Sequence, residues 1–225
     1  GTNPKPTIQD QLLKDTAAEI GRGQTFTPTD VAVFFGEEKM LSEDPYFYGE
    51  GPDRIGCELC GECMTGCKKN AKNTLDKNYL YFAEKFGTQI FAEQKVYDII
   101  PLSQNGDKGY IVKSKKTTCI LGRLNGKTFK TKGIVHCGGV IGTLALLIKL
   151  KQNKHLPLLS DHLGEFSRTN SESIIGVKSK SKKDDYSKGI AITSSVHPDE
   201  NTHIEPVRYG KGHDFMGLLT GIMTE

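Results

Sequence analysis

The stretch Cys57-Glu58-Leu59-Cys60-Gly61-Glu62-Cys63-Met64-Thr65-Gly66-Cys67, followed by Ala71-Lys72-Asn73-Thr74-Leu75-Asp76-Lys77-Asn78-Tyr79-Leu80, carries most of the information in this chain. Its first half has the spacing Cys-x2-Cys-x2-Cys-x3-Cys, which equals the bacterial ferredoxin run for iron–sulfur clusters. Two-residue gaps let a backbone wrap one cube so that successive thiolates reach successive irons. Cys57, Cys60, Cys63 and Cys67 are therefore candidate metal ligands, and an iron–sulfur cluster is a candidate cofactor. Two features depart from that pattern: Lys68, not proline, follows Cys67, and the chain holds no second run. The fourth ligand of a single cluster is open between Cys67, Cys119 and Cys137. Zinc fits less well, because structural zinc sites pair two knuckles across a longer span.

Outward from this run, Asn73-Thr74 can cap a helix through Leu75, Tyr79, Leu80, Phe82, Ala83 and Phe86, closed by Gly87. Upstream, Ile8, Leu12, Leu13, Ala17 and Ile20 recur at helical spacing up to Gly21. Asp30–Phe35 reads as a short buried strand. Residues 36–56 form a polar excursion rich in Gly, Pro and Glu, of the kind that is functional or a linker in compact domains. Downstream, strand-like runs at 89–92, 96–102, 110–114 and 119–121 are separated by turn residues such as Asn105-Gly106. Gly133–Cys137 reads as a further strand that stops at Gly138-Gly139, and a helix follows over 141–150. After Pro157 the composition shifts, and strands are expected at 174–178, 189–194 and 203–208. Strands alternating with helices in the middle and a strand-rich tail predict a mixed α/β fold of two interleaved subdomains.

Composition bounds the function. With 225 residues, 36% of them hydrophobic and 25% charged, the chain reads as an ordinary globular protein able to bury a core. A net charge of +3 gives no case for a nucleic-acid partner, and Lys178, Lys180, Lys182 and Lys183 read as a solvated turn beside Asp184 and Asp185. No apolar stretch approaches the roughly 20 residues of a transmembrane helix. Four of the six cysteines fall within residues 57–67, which reads as free thiols in a reducing, cytoplasmic setting.

The chemistry-bearing turn is Val135-His136-Cys137-Gly138-Gly139-Val140-Ile141-Gly142-Thr143, where glycines between strand and helix let backbone N–H groups approach a phosphate or ring edge. The Gly-x-Gly sites at Gly21, Gly49 and Gly210 lack the third glycine and the preceding first strand of a dinucleotide fingerprint. There is no Gly-x-Ser-x-Gly elbow, Walker loop or His-Glu-x-x-His, and the six histidines are scattered.

The block from Gly61 to Cys67 and from Ala71 to Leu80 resembles the central segment of glucose–methanol–choline oxidoreductases, most closely the bacterial cholesterol-oxidase-like subgroup. The order of later features agrees: the strand–glycine–helix unit from Val135 to Leu147, Leu156-Pro157, Asp161-His162-Leu163-Gly164, Ile192-Thr193-Ser194-Ser195 and His203-Ile204-Glu205-Pro206. The resemblance implies FAD, hydride removal from an alcohol carbon of a small, sterol-like substrate as in steroid metabolism, and a doubly wound flavin domain interleaved with a sheet-based substrate domain. It implies that residues 51–165 are part of the flavin domain and residues 1–50 and 166–225 part of the substrate domain. Val96 matches the strand position whose backbone meets the adenine. Cys137, Gly138 and Gly139 match the turn that passes the flavin, with Cys137 where Ala or Gly is usual and Leu144 where many members have Pro. Glu205 matches a glutamate placed to move a proton during double-bond isomerisation, and a carboxylate in an apolar cavity would be suited to that work. The resemblance also leads one to expect that the glycine fingerprint for FAD precedes residue 1 and the catalytic His and Asn follow residue 225, so that the chain alone is an inactive internal fragment.

Overall fold

The structure, a computed structural model, describes residues 1–118, 125–168, 170–177, 179–181 and 183–213. Cys119 and the strand expected at 119–121 lie outside them, as do Lys178 and Lys182. The chain divides into two compact units, one built from Gly1–Thr88 with Ile174–Glu225 and the other from Gln89–Ser173.

The first unit begins with helix α1 (Ile8–Glu19), where a capping box closes the N-terminus: the Asp10 amide reaches the Thr7 hydroxyl at 3.4 Å and the Thr7 amide donates to Asp10 Oδ2 at 2.7 Å. Asp10 also ties the helix to the far end of the chain. Its Oδ1 accepts from the Thr193 hydroxyl and, at 2.6 Å, from the Ser194 hydroxyl. Short two-residue strands close the same contact: β1 (Thr27–Pro28) pairs antiparallel with β7 (Ser194–Ser195). A second small ladder joins β2 (Leu41–Ser42) to β3 (Arg54–Ile55).

The expected strand at 30–35 is reduced to isolated bridges, Thr2 with Asp30 and Val33 with Lys72, but it is buried where it matters, since Val33 joins Ala71 and Ile190 in the core of this unit. The expected helix from Asn73 is broken. A 3-10 turn covers Leu75–Lys77, and α2 (Tyr79–Lys85) starts afresh with the Asn78 side chain accepting from the Tyr79 amide at 2.5 Å. The break has a physical cause. Buried Arg54 donates through Nη2 to the Lys77 carbonyl at 2.8 Å and to Asn73 Oδ1 at 2.9 Å, which takes up groups that a continuous helix would use itself. The strands expected at 189–194 and 203–208 survive as β7 and as single bridges, Ile192 with Val207 and Val196 with Ile204. At 174–177 the chain forms no strand, and Ile174 and Val177 are exposed.

The second unit is a three-stranded antiparallel meander, β4 (Gln94–Pro101), β5 (Tyr110–Lys116) and β6 (Lys127–Thr131), in that order across the sheet. Residues 89–92 precede it without strand structure. A bulge at Tyr97 interrupts the β4–β5 register between Val96 and Asp98. Helix α3 (Val140–Gln152) follows, and just beyond its end His155 Nδ1 meets Asp98 Oδ1 at 2.6 Å, which anchors the helix exit to β4. Lys113 closes on the other oxygen of Asp98 at 3.3 Å.

The fold is mixed α/β, as expected, with small antiparallel sheets. A doubly wound parallel layer is not formed among the described residues; parallel pairing is confined to the isolated bridges of Glu38 with Gly56 and Cys60 with Gly189. Residues 133–137 pair with no described strand, and Val135 is 86% exposed, so an apolar β-branched run stands without the neighbours on both edges that a parallel strand requires. No helix among the described residues is long and apolar enough to cross a membrane.

Candidate functional site

The cysteine loop owes its shape to backbone that only a few residues tolerate. Leu59, Gly61, Gly66 and Asn70 all take positive φ. At Gly61 the reason is explicit: a Cβ there would lie 2.1 Å from the Ser187 carbonyl oxygen, so only glycine allows the approach. The approach fixes the loop to residue 189 by two backbone bonds, Gly61 N–H to the Gly189 carbonyl at 2.9 Å and Gly189 N–H to the Leu59 carbonyl at 2.7 Å. On its other side the Cys57 amide donates to the Phe34 carbonyl at 3.1 Å and the Phe34 amide to the Ala71 carbonyl at 2.9 Å.

These ties bring all four cysteines to one cleft over the core, together with Val33, Ala71 and Lys72. The sulfurs are not equivalent. Burial pushes the Cys57 and Cys63 thiols up, against single backbone donors, Leu59 N–H for Cys57 and Ala191 N–H for Cys63. Burial acts in the same sense on Cys67, but there the N–H groups of Lys72, Ala71 and Lys69 and the charge of Lys77 outweigh it and bring the thiol down. Lys72 Nζ donates to the Cys63 carbonyl at 3.2 Å, which places a cation at the cleft as well.

The expected metal centre does not follow from this proximity. No group of three or more His, Cys, Asp or Glu side chains among the described residues is arranged to hold a metal ion. Cys57, Cys60, Cys63 and Cys67 gather as the spacing suggested, and none of the four is in a disulfide. Of the alternative fourth ligands, Cys137 is an exposed free thiol in the other unit, and Cys119 lies outside the described residues.

In the second unit, Gly138 and Gly139 stand at the start of α3. Gly139 is the N-cap, with φ 81 and ψ 157, and supplies no side chain to the helix N–H groups. Nothing lies within 4 Å of where its Cβ would be, so glycine serves here for its backbone angle and not to escape a clash. The first-turn amides are thereby left for an outside acceptor, such as a ring carbonyl or phosphate. Val96 lies on β4, an edge strand whose outer backbone groups no described strand uses. Both features suit contact with a dinucleotide.

Glu205 lies in the first unit, half-buried, next to the Val196–Ile204 bridge, and not on a regular strand. It makes no hydrogen bond or ion pair among the described residues. Arg208, the nearby cation that would have tied it down as a structural residue, is buried and bonded elsewhere: to Gln9, to Thr7 Oγ1 at 2.7 Å and to the Ile190 carbonyl at 3.1 Å. Two participants went unnoticed in the sequence. Lys72 could have been found from its place five residues after Cys67, whereas Gly189 carries no local signal because its role is set by a partner more than a hundred residues away.

Comparison with known proteins gives the class. The chain is 47% identical over 222 residues to a protein of Acinetobacter baumannii named cholesterol oxidase, covering 96% of this chain and 40% of that protein. It is 45% identical over 230 residues to proteins of the same name in two strains of Mycobacterium tuberculosis, covering 99% of this chain and 39% of each. No family model matches the sequence, and no solved structure matches it. The similarity runs over nearly the whole of this chain. The chain is related along nearly its whole length to proteins named cholesterol oxidase, and spans about 40% of the length of the curated relatives it matches.

Proposed function

We propose that this chain serves an FAD-dependent oxidoreductase that acts on the CH–OH group of a sterol-like alcohol, in the cytoplasm. The observation that carries this reading is the 45–47% identity over 96–99% of the chain to proteins named cholesterol oxidase. In this reading the flavin side draws on residues 51–165 and the substrate side on residues 1–50 and 166–225. The division of contacts, with Gln89–Ser173 set between the two parts of the other unit, supports an interleaved arrangement. The cysteine loop packs with the two-ended unit.

FAD, when bound, would supply the hydride acceptor. The residues that would hold it are Val96, through the outer backbone of an edge strand, and Cys137, Gly138 and Gly139, through the uncapped start of α3. Glu205, half-buried and without a partner among the described residues, is the carboxylate available to hold and move a proton. Since the sequence contains no Gly-x-Gly-x-x-Gly after a first strand, the 225-residue chain by itself is expected to hold FAD weakly and to turn over no alcohol.

The test is made in the complete enzyme encoded by the same gene, with cholesterol as probe. Flavin bound at about one per protein and oxidation of the 3-hydroxyl are expected. Glu205→Gln should retain oxidation and slow migration of the double bond by about 10²-fold or more, the scale of a lost general acid–base group. A complete protein that binds no flavin would overturn the reading, and unchanged isomerisation in Glu205→Gln would remove Glu205 from it.

A further inference from the structure

The histidines are scattered along the sequence, but the first unit brings two of them together on one hairpin. Val196 and Ile204 exchange both backbone hydrogen bonds, Val196 N–H to the Ile204 carbonyl at 3.0 Å and Ile204 N–H to the Val196 carbonyl at 2.9 Å. In an antiparallel ladder the pair next to such a doubly bonded pair has no mutual backbone bonds, and its two side chains stand closest, on one face. That next pair is His197 and His203. The His197 amide fits this register, since it turns away from the partner strand and donates to Thr25 Oγ1 at 3.1 Å. The two imidazole rings stand with their centroids 5.9 Å apart and their planes inclined by 39°. Both residues are exposed, and neither ring has a hydrogen-bond or ion-pair partner among the described residues.

This spacing suits two imidazoles that share an ion. Metal–nitrogen bonds of about 2.1 Å put each ring centre about 3.2 Å from the metal, so the two centres stand about 4.6 Å apart at a right angle and about 6.5 Å apart in line. The observed 5.9 Å lies inside that range, and small rotations of exposed side chains can close the rings toward a tetrahedral angle. The loop between them, Pro198-Asp199-Glu200-Asn201-Thr202, carries two carboxylates and no cation, and Arg22 acts on Asp199 from outside the hairpin. The balance at the hairpin end favours positive charge. We propose that His197 and His203 form a binding site for a divalent transition-metal ion of the kind imidazole prefers, Ni²⁺, Cu²⁺ or Zn²⁺. The protein supplies two ligands, fewer than a closed structural centre, and the other positions are open to water. Bound there, the ion cross-links the two strands of the hairpin two residues before Glu205 and uses none of the cysteines.

The experiment titrates Ni²⁺ into the full 225-residue chain and follows the imidazole resonances of His197 and His203 by NMR, because the paramagnetic ion broadens only nuclei close to it. Reading the two rings separately keeps the result independent of any ion taken up by the cysteines. The expected result is that both rings broaden together, with a single midpoint. In His203→Gln the midpoint at His197 should move to a metal concentration about tenfold higher or more, because the second ligand no longer acts at the high effective concentration of a neighbouring side chain. His197→Gln should do the same at His203. Separate midpoints for the two rings would overturn the proposal, and so would an unchanged His197 midpoint in His203→Gln. If neither ring broadens at Ni²⁺ concentrations that broaden exposed His162, the proposal is overturned as well. The first and last outcomes are read on the unsubstituted chain, so a variant that fails to fold leaves the test intact.

Discussion

Replacing Asp10 with alanine should unfold the first unit far more readily than its place on a surface helix would suggest. Asp10 is only 4% exposed, and its carboxylate accepts from four donors: the Thr7 amide, the Thr7 hydroxyl, Thr193 and Ser194. It also faces buried Arg208, whose own pKa burial lowers and the charge of Asp10 raises. Loss of the capping box costs about 1 kcal/mol. Hydrogen bonds to a charged group contribute about 1.5–3 kcal/mol each, but three of the donors are amides or hydroxyls of loops that can partly turn to water. Arg208 makes no ion pair with Asp10, so the lost cap and the partly lost charged hydrogen bonds set the expected loss, about 2–4 kcal/mol. The same network gives a pH dependence with a definite sign. Burial alone would raise the Asp10 pKa, but its four donors lower it, so the stabilisation is complete above the unfolded value of about 3.9 and is lost as the pH falls through the lower folded value. Urea unfolding followed by circular dichroism at neutral pH and in acid measures both effects. A cost below about 1 kcal/mol for Asp10→Ala, the size of a cap alone, would refute the reasoning, because it would mean that the long-range bonds to Thr193 and Ser194 contribute nothing.

Other substitutions probe the two sites. Gly61→Ala should cost more than about 2 kcal/mol and release the cysteine loop from residue 189, seen as faster labelling of Cys57 by a thiol reagent, since the new methyl would meet the Ser187 carbonyl at 2.1 Å. Gly139→Ala meets no atom within 4 Å and bears only the strain of φ 81, so a cost of about 1–2 kcal/mol in thermal unfolding is expected, with weaker flavin binding in the complete enzyme. Arg54→Met should destabilise by about 3 kcal/mol, because the guanidinium is fully buried and holds the carbonyls of Pro52, Asp53 and Lys77. Its circular dichroism should show whether α2 then extends back toward Asn73.

The sequence was most readable where signals are local. The apolar spacing of Ile8 to Ile20 and the run from Val96 to Leu102 each correspond to an observed element, α1 and β4, because periodicity and turn residues act over a few positions. It was least readable where distant partners decide. The helix expected from Asn73 is cut by Arg54, a residue outside the helix, and 133–137 has β-branched residues but no described strand beside it. β6 was missed because Lys127-Thr128-Phe129-Lys130-Thr131 is too polar to read as a strand, and it is placed by its register against β5. The cysteine site divides in the same way. Spacing indicated that the four residues meet, but the cleft that gathers them is completed by Val33, Ala71 and Gly189, which the run itself does not reveal. Glu205 was singled out by resemblance alone, and its isolation from Arg208 could not be foreseen, since Arg208 bonds to residues near the other end of the chain.

The pairing of β1 with β7, and of Asp10 with Thr193 and Ser194, has a consequence for biosynthesis. A ribosome adds residues from the N-terminus at about 5–20 per second. Helix α1 therefore leaves the exit tunnel with its Asp10 carboxylate lacking the Thr193 and Ser194 hydroxyls, and must wait for more than 180 further residues before it can be sealed. The β4–β5–β6 meander, whose contacts are all local, emerges in that interval and can fold at once. The order of assembly runs opposite to the order of synthesis for the outer unit: the inserted unit first, then closure of the two ends around a late-arriving clasp. A chaperone that shields exposed apolar residues such as Ile8 and Leu12 during that wait would raise the yield of folded protein, whereas the isolated 89–173 segment would gain little from it.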